Sequence, residues 1–341
     1  MRAASDGWHA LRSLRRSVVL CLTAGAVVLG LGPDLHGQPA LRLVEFPLPT
    51  PNARPHSTAV APDGRIYVAE LAANKVAMFD PRTERFTEYP IGTLNSQPHG
   101  VCVDPKSGLV YFTLINGNKI LQLNPSTGGL TAFDVPTPNS GPHTPWADQD
   151  GNIYFTEARA GKIGRLHPAT GQITEFPLAT RSGVPYGIEI DKAGVVWVAQ
   201  LNASRLTRLD PATGQMRDFA PPTADAGTRR LSIDSQGRIW ITYYRGHKIG
   251  AFDPTTNTFT EIATASADSA PYAIVVDRED VVWYSEFATS QIVRFDPRTR
   301  TSLTFKVPGP AEAQVRFLTV APDNTIWYAN FGNSRIGRIG R

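Results

Sequence analysis

Asp150-Gly151-Asn152-Ile153-Tyr154-Phe155-Thr156-Glu157 is a tight turn running into an apolar strand with an aromatic residue at its centre. An Asp-Gly pair supplies the backbone freedom that a two-strand turn needs. Before it, His143 to Ala147 reads as a preceding strand. After it come Lys162-Ile163-Gly164-Arg165-Leu166, the turn His167-Pro168-Ala169-Thr170-Gly171, and Gln172-Ile173-Thr174-Glu175-Phe176-Pro177. Four strands joined by short turns make one unit, with the alternation that half-buried strands require.

The unit recurs seven times. Its marker aromatic stands at Tyr67, Tyr111, Tyr154, Trp197, Trp240, Trp283 and Trp327, with steps of 43 or 44 residues. The turn between third and fourth strands recurs as Asp80-Pro81, Asn124-Pro125, Asp210-Pro211, Asp253-Pro254 and Asp296-Pro297. A side-chain acceptor followed by proline at fixed φ suits a type I turn. A strand-only repeat of this length means propeller blades. The chain is therefore all-β, a seven-bladed β-propeller of four-stranded blades. Its 341 residues would suggest two domains by length alone, but the repeats fill nearly all of them.

The last unit ends at Arg341 without a fourth strand, and the N-terminal side supplies one. Leu43-Val44-Glu45-Phe46-Pro47-Leu48 matches Ile173-Thr174-Glu175-Phe176-Pro177-Leu178. It is expected to pair with the C-terminal strand and close the ring, which removes the open edge that would otherwise invite aggregation.

Residues 1–37 read as a signal peptide and 38–341 as the propeller. Arg2, Arg12, Arg15 and Arg16 precede an apolar run from Val18 to Leu31, and His36-Gly37-Gln38-Pro39-Ala40 has the character of a cleavage zone. The run is short for a membrane span; the alternative is an uncleaved anchor. Arg15-Arg16 before Ser17-Val18-Val19-Leu20 weakly resembles a twin-arginine signal, so both export routes stay open. The expected location is exported, periplasmic or secreted, with no membrane association after cleavage. Without residues 1–37 the formal charge falls from +4 to about +2, which gives no argument for nucleic acid. Cys102 is then the only cysteine, so no disulfide framework exists. A monomer is expected, with a small-molecule or cyclic-peptide ligand as partner.

The first strand of a propeller blade lines the central channel. The residue opening that strand reads His56, His99, His143, Tyr186, Arg229, Tyr272 and Arg316. Hairpin symmetry about the Asp63-Gly64 and Asp150-Gly151 turns sets His56 opposite Glu70 and His143 opposite Glu157. The end of the second strand then gives another ring: Glu70, Leu114, Glu157, Gln200, Tyr243, Glu286 and Asn330. Imidazole and carboxylate suit proton abstraction and divalent metals; Arg229 and Arg316 suit an anionic or carbonyl-rich ligand. The competing structural reading is that repeated His and Glu only bond neighbouring blades. Glu45, Glu88, Glu175 and Glu261 read as solvated outer-strand residues, and His167, His247 and Tyr244 as surface groups away from the mouth.

Pro49-Thr50-Pro51-Asn52-Ala53-Arg54-Pro55-His56, Gln97-Pro98-His99-Gly100-Val101, Ile153-Tyr154-Phe155-Thr156-Glu157 and Asn333-Ser334-Arg335-Ile336-Gly337-Arg338 resemble the repeats of the streptogramin B lyase (virginiamycin B lyase) family over residues 41–341. The resemblance implies ring-opening elimination on a cyclic depsipeptide ester. A His removes the proton alpha to a carbonyl, Mg²⁺ stabilises the enolate, and the carboxylate leaves without water. By that resemblance His56 matches a substrate-contacting His and His99 the catalytic base; Tyr186, Arg229, Tyr272 and Arg316, read from their places in the first ring, are the other expected substrate-binding residues. Two departures stand out. Gln97 replaces the family's Glu two residues before the base, and Leu114-Ile115 replaces the Glu at the strand end. Glu70, His143 and Glu157 are then the expected ligands of a metal site rebuilt one blade over, with Mg²⁺ as the cofactor. Two other readings stay open: a gluconolactonase-like lactone hydrolase, for which neither ring offers an Asp, and a non-catalytic binding propeller of the cell envelope.

Overall fold

A computed structural model describes residues 27–30, 40–309 and 313–341. Seven antiparallel sheets stand around one axis, six of them in the order in which their strands occur in the chain and the seventh completed by N-terminal strands beside the C-terminal one. Blade 3 shows the plan, with strands Pro142–Ala147, Ile153–Glu157, Lys162–His167 and Gln172–Pro177. The innermost strands of the seven blades are Pro55–Val60, Pro98–Val103, Pro142–Ala147, Pro185–Ile190, Thr228–Ile233, Pro271–Val276 and Val315–Val320. One short 3₁₀ turn, Arg181–Gly183, is the only helical element among the described residues.

The core lies between blades. Every second strand from Ile66–Glu70 to Ile326–Asn330 is buried along its whole length, so both of its faces meet neighbouring sheets. The marker aromatics are at most 3% exposed. In blades 4 to 6 the indole N–H of Trp197, Trp240 and Trp283 donates to Asp191, Asp234 and Asp277 at 2.8–2.9 Å. The turn aspartate thus satisfies a polar atom that burial would otherwise strand.

Adjacent blades are stitched beside the axis. The hydroxyls of Thr113, Thr156 and Thr242 donate to the carbonyls of His143, Tyr186 and Tyr272 on the next inner strand, at 2.7–3.1 Å. Ser285 does the same to Val315 at 2.9 Å. These bonds fix where the residues opening the inner strands sit.

The outer-strand glutamates correct the sequence reading, because they are not simply solvated. Glu88, Glu175 and Glu261 each accept from the backbone N–H and hydroxyl of a threonine entering the blade (Thr50, Thr137, Thr223) and from a lysine of the third strand (Lys75, Lys162, Lys248). Although burial opposes it, these donors hold all three carboxyls below the usual carboxylate range. Charge-assisted bonds to backbone anchor the linker that leads each chain segment back to the axis. Glu45 is fully buried and accepts from Tyr328 at 2.9 Å and Asn330 at 2.8 Å.

Ring closure is as the repeat implies. Arg42–Pro47 pairs antiparallel with Arg335–Gly340 without a register break, from Arg42 opposite Gly340 to Pro47 opposite Arg335. Leu43 and Phe46 point inward, and Phe46 stacks on Trp327 at 5.9 Å between centroids. Val27–Gly30 adds a fifth strand outside it. The rest of the signal-like segment lies outside the described residues. Without residues 40–50 the last blade keeps an open edge and loses Leu43, Glu45 and Phe46. Such a deletion is expected to abolish the single cooperative thermal transition followed by circular dichroism; a soluble variant with an unchanged transition would contradict closure by this strand.

Candidate functional site at the channel mouth

Every inner strand carries a local irregularity near its start, and this decides which side chains reach the axis. The ladder pairs Pro55 with Glu70 and Pro142 with Glu157, then shifts register. The histidine that follows each proline is therefore not opposite the glutamate. A bulge re-aims a side chain, and a one-residue slip exchanges faces. The expected His–Glu pairing across the hairpin is thus corrected. Residues opening the inner strands face the axis, while residues ending the second strands turn back into the blade.

The second ring is accordingly not at the mouth. Glu70 lies near Glu88 and Lys75, Glu157 near Glu175, Lys162 and Ser140. Glu286 accepts from the backbone of Ser266 and from Thr289, and Asn330 bonds Glu45 and the Pro308 carbonyl. Burial, and then the neighbouring outer-strand carboxylate, push Glu70 and Glu157 up to about 8.

The first ring is assembled as one continuous row. The imidazoles of His56 and His99 lie 3.6 Å apart between centroids, His99 and His143 4.0 Å, and His143 and the Tyr186 ring 3.9 Å. Tyr186 and Tyr272 share a 2.5 Å hydroxyl–hydroxyl bond across blade 5. The Arg229 guanidinium lies over both rings, at 4.3 and 3.7 Å, and donates to the Tyr186 hydroxyl at 2.7 Å. Arg316 stacks on Phe331 at 3.8 Å and bonds Gln314. His56 and His143 flank His99, and Arg229 and Arg316 act on it electrostatically.

Four participants were not among the expected site residues. Arg230 runs across the channel, donating from Nη1 to Thr144 Oγ1 at 2.9 Å and stacking on Phe317 at 4.6 Å. Its signal was the doubled Arg229-Arg230, where the other blades have one large residue followed by a smaller one or by Phe317. Tyr244 and Phe287 pack against Tyr272, and Phe331 against His56. Tyr244 is a correction: it lies 4.5 Å from the Arg229 guanidinium, not on a remote surface. These three aromatics occupy one repeat position, directly after the second strand, which is aromatic only in blades 5 to 7.

The electrostatics are one-sided. All three histidines are held well below the usual imidazole range, first by burial and then by positive or imidazole neighbours, including Arg229 and Arg230. They are neutral bases at pH 7. His99 Nδ1 stands 3.2 Å from the His143 carbonyl, an acceptor only. That bond puts the hydrogen on Nδ1 and leaves the lone pair on Nε2. Burial opposes ionisation of Tyr272, but Arg229, Arg230, Arg316 and the bond from Tyr186 together lower its pKa; burial raises that of Tyr186.

The residues present do not fit Mg²⁺. Among the described residues no group of three or more His, Cys, Asp or Glu converges as ligands. Glu70 and Glu157 face into their blades, so His143 lacks both expected carboxylate partners. Two residues before the mouth position, the seven blades carry Arg54, Gln97, Gly141, Val184, Gly227, Ala270 and Gln314, with no carboxylate. A hard dication needs oxygen anions, and here it would meet guanidinium groups instead.

Fold and site define a propeller that gathers its reactive side chains at one channel mouth. The virginiamycin B lyase family model matches residues 105–341, and the chain belongs to that family. It is a lyase-like β-propeller. A solved streptogramin B lyase structure is 26% identical, with a TM-score of 0.82 over 88% of this chain and 97% of that one. Virginiamycin B lyase from Staphylococcus aureus superposes with a TM-score of 0.82 at 22% identity, over 88% of this chain and 99% of that one. A catalytically inactive form of the staphylococcal enzyme, solved with quinupristin, gives the same values, and at this identity the likeness is one of fold. No curated protein matches the sequence.

The two raised glutamates carry a pH prediction. Their folded-state pKa lies above the unfolded value, so their contribution is complete below about pH 4.5 and is lost as pH rises toward 8. Glu157→Gln keeps the shape of the neutral acid. It is expected to match the wild type at pH 5 and to exceed it by roughly 1–3 kcal/mol at pH 8.5, since one pKa unit is about 1.4 kcal/mol. Urea unfolding at the two pH values measures this; a Gln variant no more stable at pH 8.5 would contradict a carboxyl buried in its neutral form.

Proposed function

We propose that the protein is a carbon–oxygen lyase that opens a cyclic ester by elimination, with guanidinium groups in the role that a metal would otherwise fill. The carrying observation is a row of buried, neutral imidazoles beside three arginines that no carboxylate among the described residues neutralises. Family membership supports the reaction class, and the site supports its division of labour.

His99 Nε2 removes the proton alpha to the substrate carbonyl. The C–H electron pair forms a C=C bond as the β C–O bond breaks, and the ester oxygen leaves as a carboxylate. No water is consumed. Negative charge develops on the carbonyl oxygen, where Arg229 and Arg316 favour it electrostatically; fixed positive groups in a dry site are worth more than in water. His56, Tyr186 and Tyr272 shape the surface around the reacting carbon. The Tyr186–Tyr272 pair, with its proton directed toward Tyr272, holds Arg229 over the row.

The test is incubation with a streptogramin B and a panel of lactones, with Mg²⁺ and with EDTA, followed by mass spectrometry. The expected product has unchanged mass, a shifted retention time and a new alkene. It forms equally in EDTA and falls by about 10²–10⁴-fold in His99→Ala, the usual range for loss of a general base. A product heavier by one water would assign a hydrolase. Turnover that needs Mg²⁺ would contradict the role given to the arginines, and no turnover of any substrate would favour a binding propeller.

A further inference from the structure

One position deeper than the mouth, the inner strands carry Ser57, Gly100, Thr144, Gly187 and Ala273, all small or medium in size. Arg230 and Phe317 are the large exceptions, and Arg230 fills the space that the small residues leave at the axis. Its side chain is 4% exposed. Its Nη1 is used by Thr144, and its face is covered by Phe317. Its Nε and Nη2 are buried and meet no acceptor among the described residues. These two atoms form one edge of the guanidinium, with parallel N–H bonds.

No carboxylate pairs with Arg230 among the described residues. Glu189 on the neighbouring inner strand is the obvious candidate, yet it bonds Ser232 and the Ile233 backbone, and burial pushes it up to about 8. Arg229 Nε, Arg316 Nε and His56 Nε2 are also buried without partners among the described residues, at the same end of the channel. A buried charge without a counter-charge is costly, and three like charges add repulsion. An uncompensated guanidinium with a free two-donor edge matches the planar carboxylate group better than a spherical halide.

We infer that the throat of the channel is a carboxylate-binding site, in which Arg230 grips both oxygens through its Nε–Nη2 edge while Arg229 and Arg316 add positive field from the mouth side. A ligand held there by its carboxylate extends outward along the histidine row. The site is independent of turnover. Loss of acetate binding with elimination intact would remove this site alone, and loss of elimination with binding intact would remove the lyase reading alone.

The test compares sodium acetate with sodium chloride at constant ionic strength, using the purified protein. Isothermal titration calorimetry and the thermal midpoint are the readouts. Acetate is expected to bind saturably and raise the midpoint, with chloride producing a smaller, unsaturated change. Arg230→Met should lose the acetate effect entirely. Arg230→Lys keeps the charge but not the fork, and should bind acetate at least several-fold more weakly. Equal responses to acetate and chloride in the wild type would overturn the site. So would saturable acetate binding that survives in Arg230→Met, or in Arg230→Lys at full strength should the methionine variant fail to fold.

Discussion

Three guanidinium groups stand close to one axis without a carboxylate among the described residues to neutralise them, and most properties of the mouth follow from that imbalance. They help hold three buried imbalanced neighbours, the imidazoles of His56, His99 and His143, in the neutral state. They draw the Tyr272 hydroxyl toward ionisation against the effect of burial. They also make the mouth inhospitable to a dication. Propeller geometry creates the situation, because seven strand starts converge where a single chain segment would bring only one side chain.

The bulge near the start of each inner strand is the second constraint. It separates what would have been two facing rings. One ring lines the channel mouth; the other is buried inside the blades. Glu70 and Glu157 thereby leave the mouth and enter an arrangement with Glu88 and Glu175, in which one carboxyl of each pair is ionised and bonded while the other is pushed toward its neutral form. The hydroxyls of Thr113, Thr156, Thr242 and Ser285 keep the inner strands in place, so the row at the mouth is built on backbone that each neighbouring blade fixes.

The repeat, the blade plan and the closing strand were legible because each rests on a local period: an aromatic every 43 or 44 residues, turns with Asp-Pro, and a leading segment that matches the missing strand. The membership of the mouth ring was legible for the same reason, since one residue per repeat must open the inner strand. Hairpin arithmetic failed for Glu70 and Glu157 because symmetry about a turn assumes an unbroken ladder, and a bulge leaves no reliable mark in composition. The outer-strand glutamates were misread because alternation alone says exposed, whereas a threonine 38 residues earlier supplies their partner. Arg230 was missed because its partner Thr144 lies across the axis, and Tyr244 because its partners Arg229, Tyr272 and Phe287 meet it only where blades 5 and 6 pack together.

Neutrality of the histidine row is the claim on which both the base and the anion-binding surface depend. Side-chain ¹⁵N NMR of the purified protein, recorded from pH 8 down to the acid limit of folding, reads it directly. The expected spectra keep His56, His99 and His143 in neutral tautomers well below the ordinary imidazole range, with the hydrogen of His99 on Nδ1. Two or more of the three histidines titrating at the ordinary imidazole pKa of about 6.5 would contradict the account, because a row that protonates that readily is neither desolvated nor under the field of Arg229, Arg230 and Arg316.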